Sequence, residues 1–192
     1  NPVRTSIAGA SVSKSEGLKF FSLDETKKTV FVVGGSLGAK SINEAIDKGL
    51  DDLLKAGLQI IWQTGKGYYD TYKTRLTKFD LRRIRVVDFV REMDLAYAVA
   101  DVVVSRSGAL AVSEISVAGK PAILVPSPNV AEDHQTKNAK ALVGKGAALM
   151  VLDKEASVKL VDEALKLLFD QHRAEKLSEN IAAIAKPDAT IS

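Results

Sequence analysis

The chain has no cysteine, which excludes disulfides and thiolate metal sites and is compatible with a reducing cytoplasm. It has only two histidines, His134 and His172, too few for a zinc site without thiolates. No apolar run approaches the roughly 20 residues of a membrane helix, and no secretory signal opens the chain. An excess of one charge is missing too: 27 Lys and Arg stand against 24 Asp and Glu, a net charge of +3. That balance argues against a nucleic-acid partner. The short basic clusters Lys27-Lys28 and Arg82-Arg83-Ile84-Arg85 read as solvated charges at loops or helix ends. No Asp-x-Asp occurs, so a metal-chelated diphosphate site lacks its usual ligands, and Glu92-Met93-Asp94 reads as a helix start. No Ser-His-Asp order or Cys–His pair points to a nucleophilic hydrolase.

What is present is alternation. β-branched, often continuously apolar runs at 29–33, 58–63, 84–88, 102–105, 122–125 and 148–152 predict strands of a parallel sheet covered on both faces. Helical patterns fall between and after them, at 39–56, 68–79, 94–100, 109–118, 133–145, 157–169 and 173–185. Gly57, Gly119 and Gly146 sit where helix C-terminal caps belong. The fold class is therefore α/β, a doubly wound parallel sheet of Rossmann-like type, as one domain over 1–192. Only the ends look like linker and tail, about 1–6 and 186–192; with no Met before Asn1, a longer parent protein is expected.

In this architecture ligands bind beyond the carboxyl ends of the strands. After the first strand comes Gly34-Gly35-Ser36-Leu37-Gly38-Ala39-Lys40-Ser41. It misses the P-loop pattern at Ala39, where the phosphate cradle needs glycine. It misses the dinucleotide fingerprint at Ser36, and Gln63-Thr64-Gly65-Lys66 after the second strand has no ribose-binding acid. A tight turn packing helix on strand would explain the loop equally well, so a second feature is needed.

That feature is Ser105-Arg106-Ser107-Gly108-Ala109-Leu110-Ala111-Val112-Ser113-Glu114. Small residues at 107–109 leave first-turn amides uncovered, an anion site at a helix start. Glu114, further along the same helix, can accept from two vicinal ribose hydroxyls, although an early acid often only complements the helix dipole. His134 and Gln135 open a later strand-end helix and can bond sugar hydroxyls.

Together these motifs resemble the C-terminal domain of the MurG family of peptidoglycan glycosyltransferases. The similarity runs through Asn1-Pro2-Val3-Arg4, Gly34–Ala39, Asp88-Phe89-Val90, Ser105–Glu114, Asp133–Ala139 and Lys186-Pro187-Asp188-Ala189, covering nearly the whole chain. The resemblance implies one half of a GT-B enzyme that moves N-acetylglucosamine from UDP-GlcNAc to an undecaprenyl-diphosphate-linked muramoyl-pentapeptide, inverting the anomeric carbon. It implies Val90 backbone at the uracil edge, Glu114 at the ribose, and Ser36 with the amides of Ala109, Leu110 and Ala111 at the diphosphate and sugar. His134 and Gln135 would read the GlcNAc hydroxyls, and Arg4 would lie at the cleft's interdomain edge. Ala111 departs from the family's frequent Thr, leaving only its amide. No cofactor or metal is implied. The acceptor site, membrane-contacting surface and catalytic base would belong to an N-terminal domain absent from this chain, whose parent would be peripheral to the cytoplasmic face of the inner membrane. A free-standing donor subunit and a non-catalytic nucleotide-sugar or dinucleotide module remain as alternatives.

Overall fold

The computed structural model describes residues 12–129, 131 and 134–185. Arg4, Asp133 and the linker and tail expected at the two ends lie outside them. The elements run α1 Lys14–Phe21, β1 Thr29–Val33, α2 Lys40–Lys55, β2 Gln59–Gln63, α3 Lys66–Arg75 and β3 Ile84–Val87. They continue through α4 Met93–Val99, β4 Val102–Ser105, α5 Ala109–Ala118, β5 Ala122–Leu124, α6 His134–Gly144, β6 Leu149–Met150, α7 Ala156–Leu168 and α8 Gln171–Ala185. The strands form one sheet in the order β3-β2-β1-β4-β5-β6, and every pairing is parallel. This is the doubly wound sheet expected from the alternation.

Both faces are covered because strand side chains alternate. On β1, Val30 and Val32 join a core with α2, α7 and Trp62 of β2. Phe31 and Val33 join the opposite core with α1, α4, α5 and α6. All five β1 residues are buried, so the continuous apolar run is the physical signature of a central strand. Gly57, Gly119 and Gly146 have positive φ at the ends of helices, as the cap reading required.

Two details differ from expectation. α1 was not foreseen; its Gly17 lies so close to α4 that a Cβ there would stand 2.7 Å from the carbonyl oxygen of Leu95. The basic cluster before β3 is not simply solvated charge. Arg83 donates to the carbonyls of Leu54 and Leu58 at the end of α2. Arg85 donates to the carbonyls of Phe21, Ser22, Leu81 and Ile84. Two guanidinium groups thus satisfy orphan carbonyls that a helix end leaves behind, and exposed Arg82 alone of the three pairs outward, with half-buried Asp80.

The winding reverses between β1 and β4. From β1 the chain steps outward to β2 and β3, then crosses back to β4, β5 and β6. Ligand crevices form at such a switch point.

Candidate nucleotide-sugar site

A cleft of about 530 Å³ opens at that point, walled by the Gly34–Gly38 loop after β1 and by Arg106 and the first turn of α5 after β4. Register explains the position: Val33, Gln63 and Ser105 lie side by side as the last residues of β1, β2 and β4.

The glycine loop holds its shape through close backbone approach. A Cβ on Gly38 would sit 2.1 Å from the carbonyl oxygen of Thr64, and φ there is +81°. The opposing Gly65 would place a Cβ 2.4 Å from the Gly38 nitrogen, so neither loop tolerates a side chain at the contact. Gly35, at φ +90°, has open space where its Cβ would be. Gln63 ties this loop to the next: its Nε2 donates to the Gly35 carbonyl at 3.0 Å, while its Oε1 accepts from the Val90 amide at 2.7 Å.

Opposite stands α5. Its N-cap is Gly108, with no side-chain cap, so the first-turn amides of Ala109, Leu110 and Ala111 lack intrahelical acceptors where they meet the cleft. Partial positive charge at a helix start adds to their pull on an anion. The approach to this turn is fixed by Gln135 of α6. Its Oε1 accepts from the amides of Ser107 at 3.4 Å and Ser127 at 2.9 Å, and its carbonyl accepts from Ser107 Oγ. Asn138 adds a bond from Nδ2 to the Ser107 carbonyl at 3.0 Å.

Glu114 lies further along α5, on the cleft wall and only 3% exposed. Tyr97 of α4 donates its hydroxyl to Glu114 Oε2 at 3.2 Å, and the Tyr97 ring packs edge-on against Phe31 at 5.5 Å. The carboxylate is therefore held by a tyrosine that is itself locked into the core. Phe89 and Met93 supply apolar surface beside it.

The fold thus brings together Ser36, Ala109, Leu110, Ala111, Glu114 and Gln135 around one cleft. Val90 is buried behind the wall, with its amide already engaged by Gln63. His134 opens α6 on an exposed surface and is not among the lining residues. The sequence reading had no role for Gln63, Tyr97 or Arg106; only Arg106, inside the Ser105–Glu114 motif, carried a usable signal. Its guanidinium joins Asp153 at 2.6 Å in a mostly buried ion pair. Among the described residues no group of three or more His, Cys, Asp or Glu side chains could hold a metal ion.

Comparison with known proteins places this geometry in context. The glycosyltransferase family 28 C-terminal domain matches residues 29–191. The UDP-N-acetylglucosamine–N-acetylmuramyl-(pentapeptide) pyrophosphoryl-undecaprenol N-acetylglucosamine transferase of Cytophaga hutchinsonii is 51% identical over 190 residues, 99% of this chain and 50% of the relative. The chain therefore spans about half the length of the curated relatives it matches. Among solved structures, Acinetobacter baumannii MurG superposes with a TM-score of 0.76 at 28% identity, over 96% of this chain and 52% of that one. The C-terminal CMP-Kdo binding domain of WaaA, also from Acinetobacter baumannii, shares the fold at a TM-score of 0.67 and 15% identity, over 96% of this chain and 100% of that one.

Proposed function

From the premise that this chain belongs to the glycosyltransferase family 28 C-terminal domain family, we propose that it is the donor-binding half of an inverting N-acetylglucosaminyltransferase. In this reading the whole enzyme is a GT-B protein that transfers N-acetylglucosamine from UDP-GlcNAc to undecaprenyl-diphosphate-linked muramoyl-pentapeptide. The chain is one donor domain over 1–192, with a linker at about 1–6 and a tail at 186–192, and the acceptor site belongs to a second domain. Arg4 would border the cleft between the two. No helix among the described residues is long and apolar enough to cross a membrane. By the family resemblance, the whole enzyme would meet its lipid-linked acceptor as a peripheral protein at the cytoplasmic face of the inner membrane.

The observation that carries this reading is the buried Glu114 carboxylate, oriented by Tyr97 beside an uncapped helix start. A carboxylate accepts from both vicinal hydroxyls of a ribose, which neutral acceptors do less strongly. The amides of Ala109, Leu110 and Ala111 then meet the diphosphate, and Ser36 reaches it from the glycine loop. With the Val90 amide engaged by Gln63, its carbonyl is the group offered to the uracil imide N–H. Gln135 acts first as the brace of the Ser107 and Ser127 loops, and GlcNAc contact is assigned to Gln135 and His134 by the family resemblance. As the acceptor hydroxyl attacks the anomeric carbon, negative charge gathers on the departing UDP. Preorganised amide donors stabilise that charge without reorganising.

Calorimetric titration with UDP, UDP-GlcNAc, UDP-glucose and NAD tests the proposal. UDP compounds are expected to bind and NAD is not. Glu114→Ala is expected to weaken UDP by about 1.5–3 kcal/mol, the worth of hydrogen bonds to a charged group. EDTA is expected to leave binding unchanged. A preference for NAD, or unchanged UDP affinity in a folded Glu114→Ala variant, overturns the assignment.

A further inference from the structure

The donor-site reading leaves one charged group on the cleft wall without a task. Arg106 stands two residues before the uncapped first turn of α5 and lines the same cleft as Glu114. Its side chain is 16% exposed, and the network that holds it gathers four separate parts of the chain. Nη1 donates to the carbonyls of Val125 at 3.2 Å and Pro126 at 3.1 Å in the loop after β5, and to Asp153 Oδ1 at 2.6 Å in the turn after β6. Nη2 lies 3.4 Å from Ser41 Oγ at the start of α2, and that hydroxyl donates to the same Asp153 oxygen.

Counting hydrogens shows what is left. Both Nη1 hydrogens are committed, as is the Nη2 hydrogen on the Ser41 side. Nε–H and the other Nη2–H have no acceptor among the described residues. In a planar guanidinium these two hydrogens point the same way and form the fork that grips a carboxylate or phosphate with two parallel bonds. Because Arg106 lines the cleft, an anion bound there can meet a fork that the loop contacts leave uncommitted.

We infer that the Nε/Nη2 edge of Arg106 receives a phosphate oxygen of the donor's diphosphate, with Asp153 and Ser41 as the residues that position it. The inference rests on the donor-site reading and adds a charged ligand to it. Arg106 then supplements the α5 amides, and its full charge meets the oxyanion that grows as UDP departs.

The test separates phosphate from nucleoside. UDP and uridine are titrated against wild type and Arg106→Lys, which keeps the charge and removes the fork. The variant is expected to bind UDP about tenfold or more weakly, in line with the loss of a charge-assisted bond, while uridine affinity stays unchanged. An equal loss for UDP and uridine would mean that Arg106 only braces the loops, and unchanged UDP affinity would mean that it does nothing for the donor; either overturns the inference. A second measurement needs no variant. Phenylglyoxal labelling of the wild-type protein, read by peptide mass spectrometry, is expected to show Arg106 protected by UDP and not by uridine. Protection by both or by neither overturns the inference. Wild-type protein that ignores UDP removes the donor site and this inference together. A UDP site that responds to Glu114→Ala and not to Arg106→Lys keeps the former and removes the latter.

Discussion

At the residue scale, Asn43 joins the core to the cleft. This α2 side chain is 1% exposed, accepts from Trp62 Nε1 at 2.9 Å and donates to the Thr64 carbonyl at 2.9 Å. Thr64 is the residue whose carbonyl packs against Gly38, so Asn43 fixes the floor on which the glycine loop rests. Asn43→Leu would leave the indole N–H and that carbonyl dry and unpaired. The expected loss is about 2–6 kcal/mol, from about 1–3 kcal/mol for each of the two stranded groups. Trp62, the chain's only tryptophan, reports urea unfolding directly by fluorescence. Lys120 offers the opposite case. Burial pushes its amine below the ordinary 10.5, with Asp101 opposing that shift. Between the lowered folded value and 10.5 the unfolded chain binds more protons, so this residue's contribution to stability rises with pH across that window. Below the window the buried charge carries its full cost. Lys120→Met is therefore expected to raise the unfolding midpoint at pH 7, with the gain shrinking as pH climbs toward 10.5. A gain that stayed constant across that range would trace to packing and not to charge.

Elements were legible where burial left the sequence no alternative. β1, β4 and α5 occupy the spans expected of them, because a strand covered on both faces must be apolar throughout and a helix start after such a strand needs small residues. β6 is shorter than its apolar run, only Leu149–Met150, since an edge strand has one partner. The helix expected from 68 starts at Lys66 and tightens into a 3₁₀ turn over Leu76–Lys78. α1 escaped notice because Gly17 interrupts its pattern; the readable sign was Ser13 three residues before Glu16, whose amide Ser13 Oγ caps at 3.1 Å. The site divides the same way. The α5 start and Glu114 are consecutive in sequence, whereas Arg106 finds Asp153 47 residues later, Tyr97 finds Glu114 from another helix, and Gln63 bridges two loops. Spacing along the chain carries no trace of such partners. α1 also lets packing be tested against propensity. Gly17→Ala favours an isolated helix by about 1 kcal/mol, yet its Cβ would press on Leu95 and Val99 of α4. Overpacking of this kind typically costs about 1–3 kcal/mol and is expected to win. Because α4 carries Tyr97, hydrogen exchange is expected to show faster opening of α1 and α4 together. Slower exchange would mean that the two helices part without cost.

At the scale of the whole molecule, this chain builds the proposed donor cleft from the glycine loop and the start of α5, while the proposed transfer needs a second surface. In the proposed reading Ser36, Ala109, Leu110, Ala111 and Glu114 meet UDP in one cleft at the carboxyl ends of the strands, so affinity for the nucleotide is expected not to depend on the other half of the relatives' length. Two behaviours should therefore separate. Free UDP at about 100 times its Kd is expected to stabilise the chain by about 2.7 kcal/mol, because it binds the native state alone. For a domain of this size about 1 kcal/mol moves Tm by about 2–4 °C, so the melting transition should rise by about 5–11 °C. Uridine at the same concentration should move it less, since it lacks the phosphates proposed to meet the α5 amides and Arg106. Transfer should not follow. Supplied with UDP-GlcNAc and the lipid-linked acceptor, the chain by itself is expected to form no product, because nothing on this side of the cleft is assigned to deprotonate the acceptor hydroxyl. Product formed at an enzymatic rate would place the base among the residues described here, with Glu114 the first candidate, and would reverse its assignment from ribose ligand to catalyst.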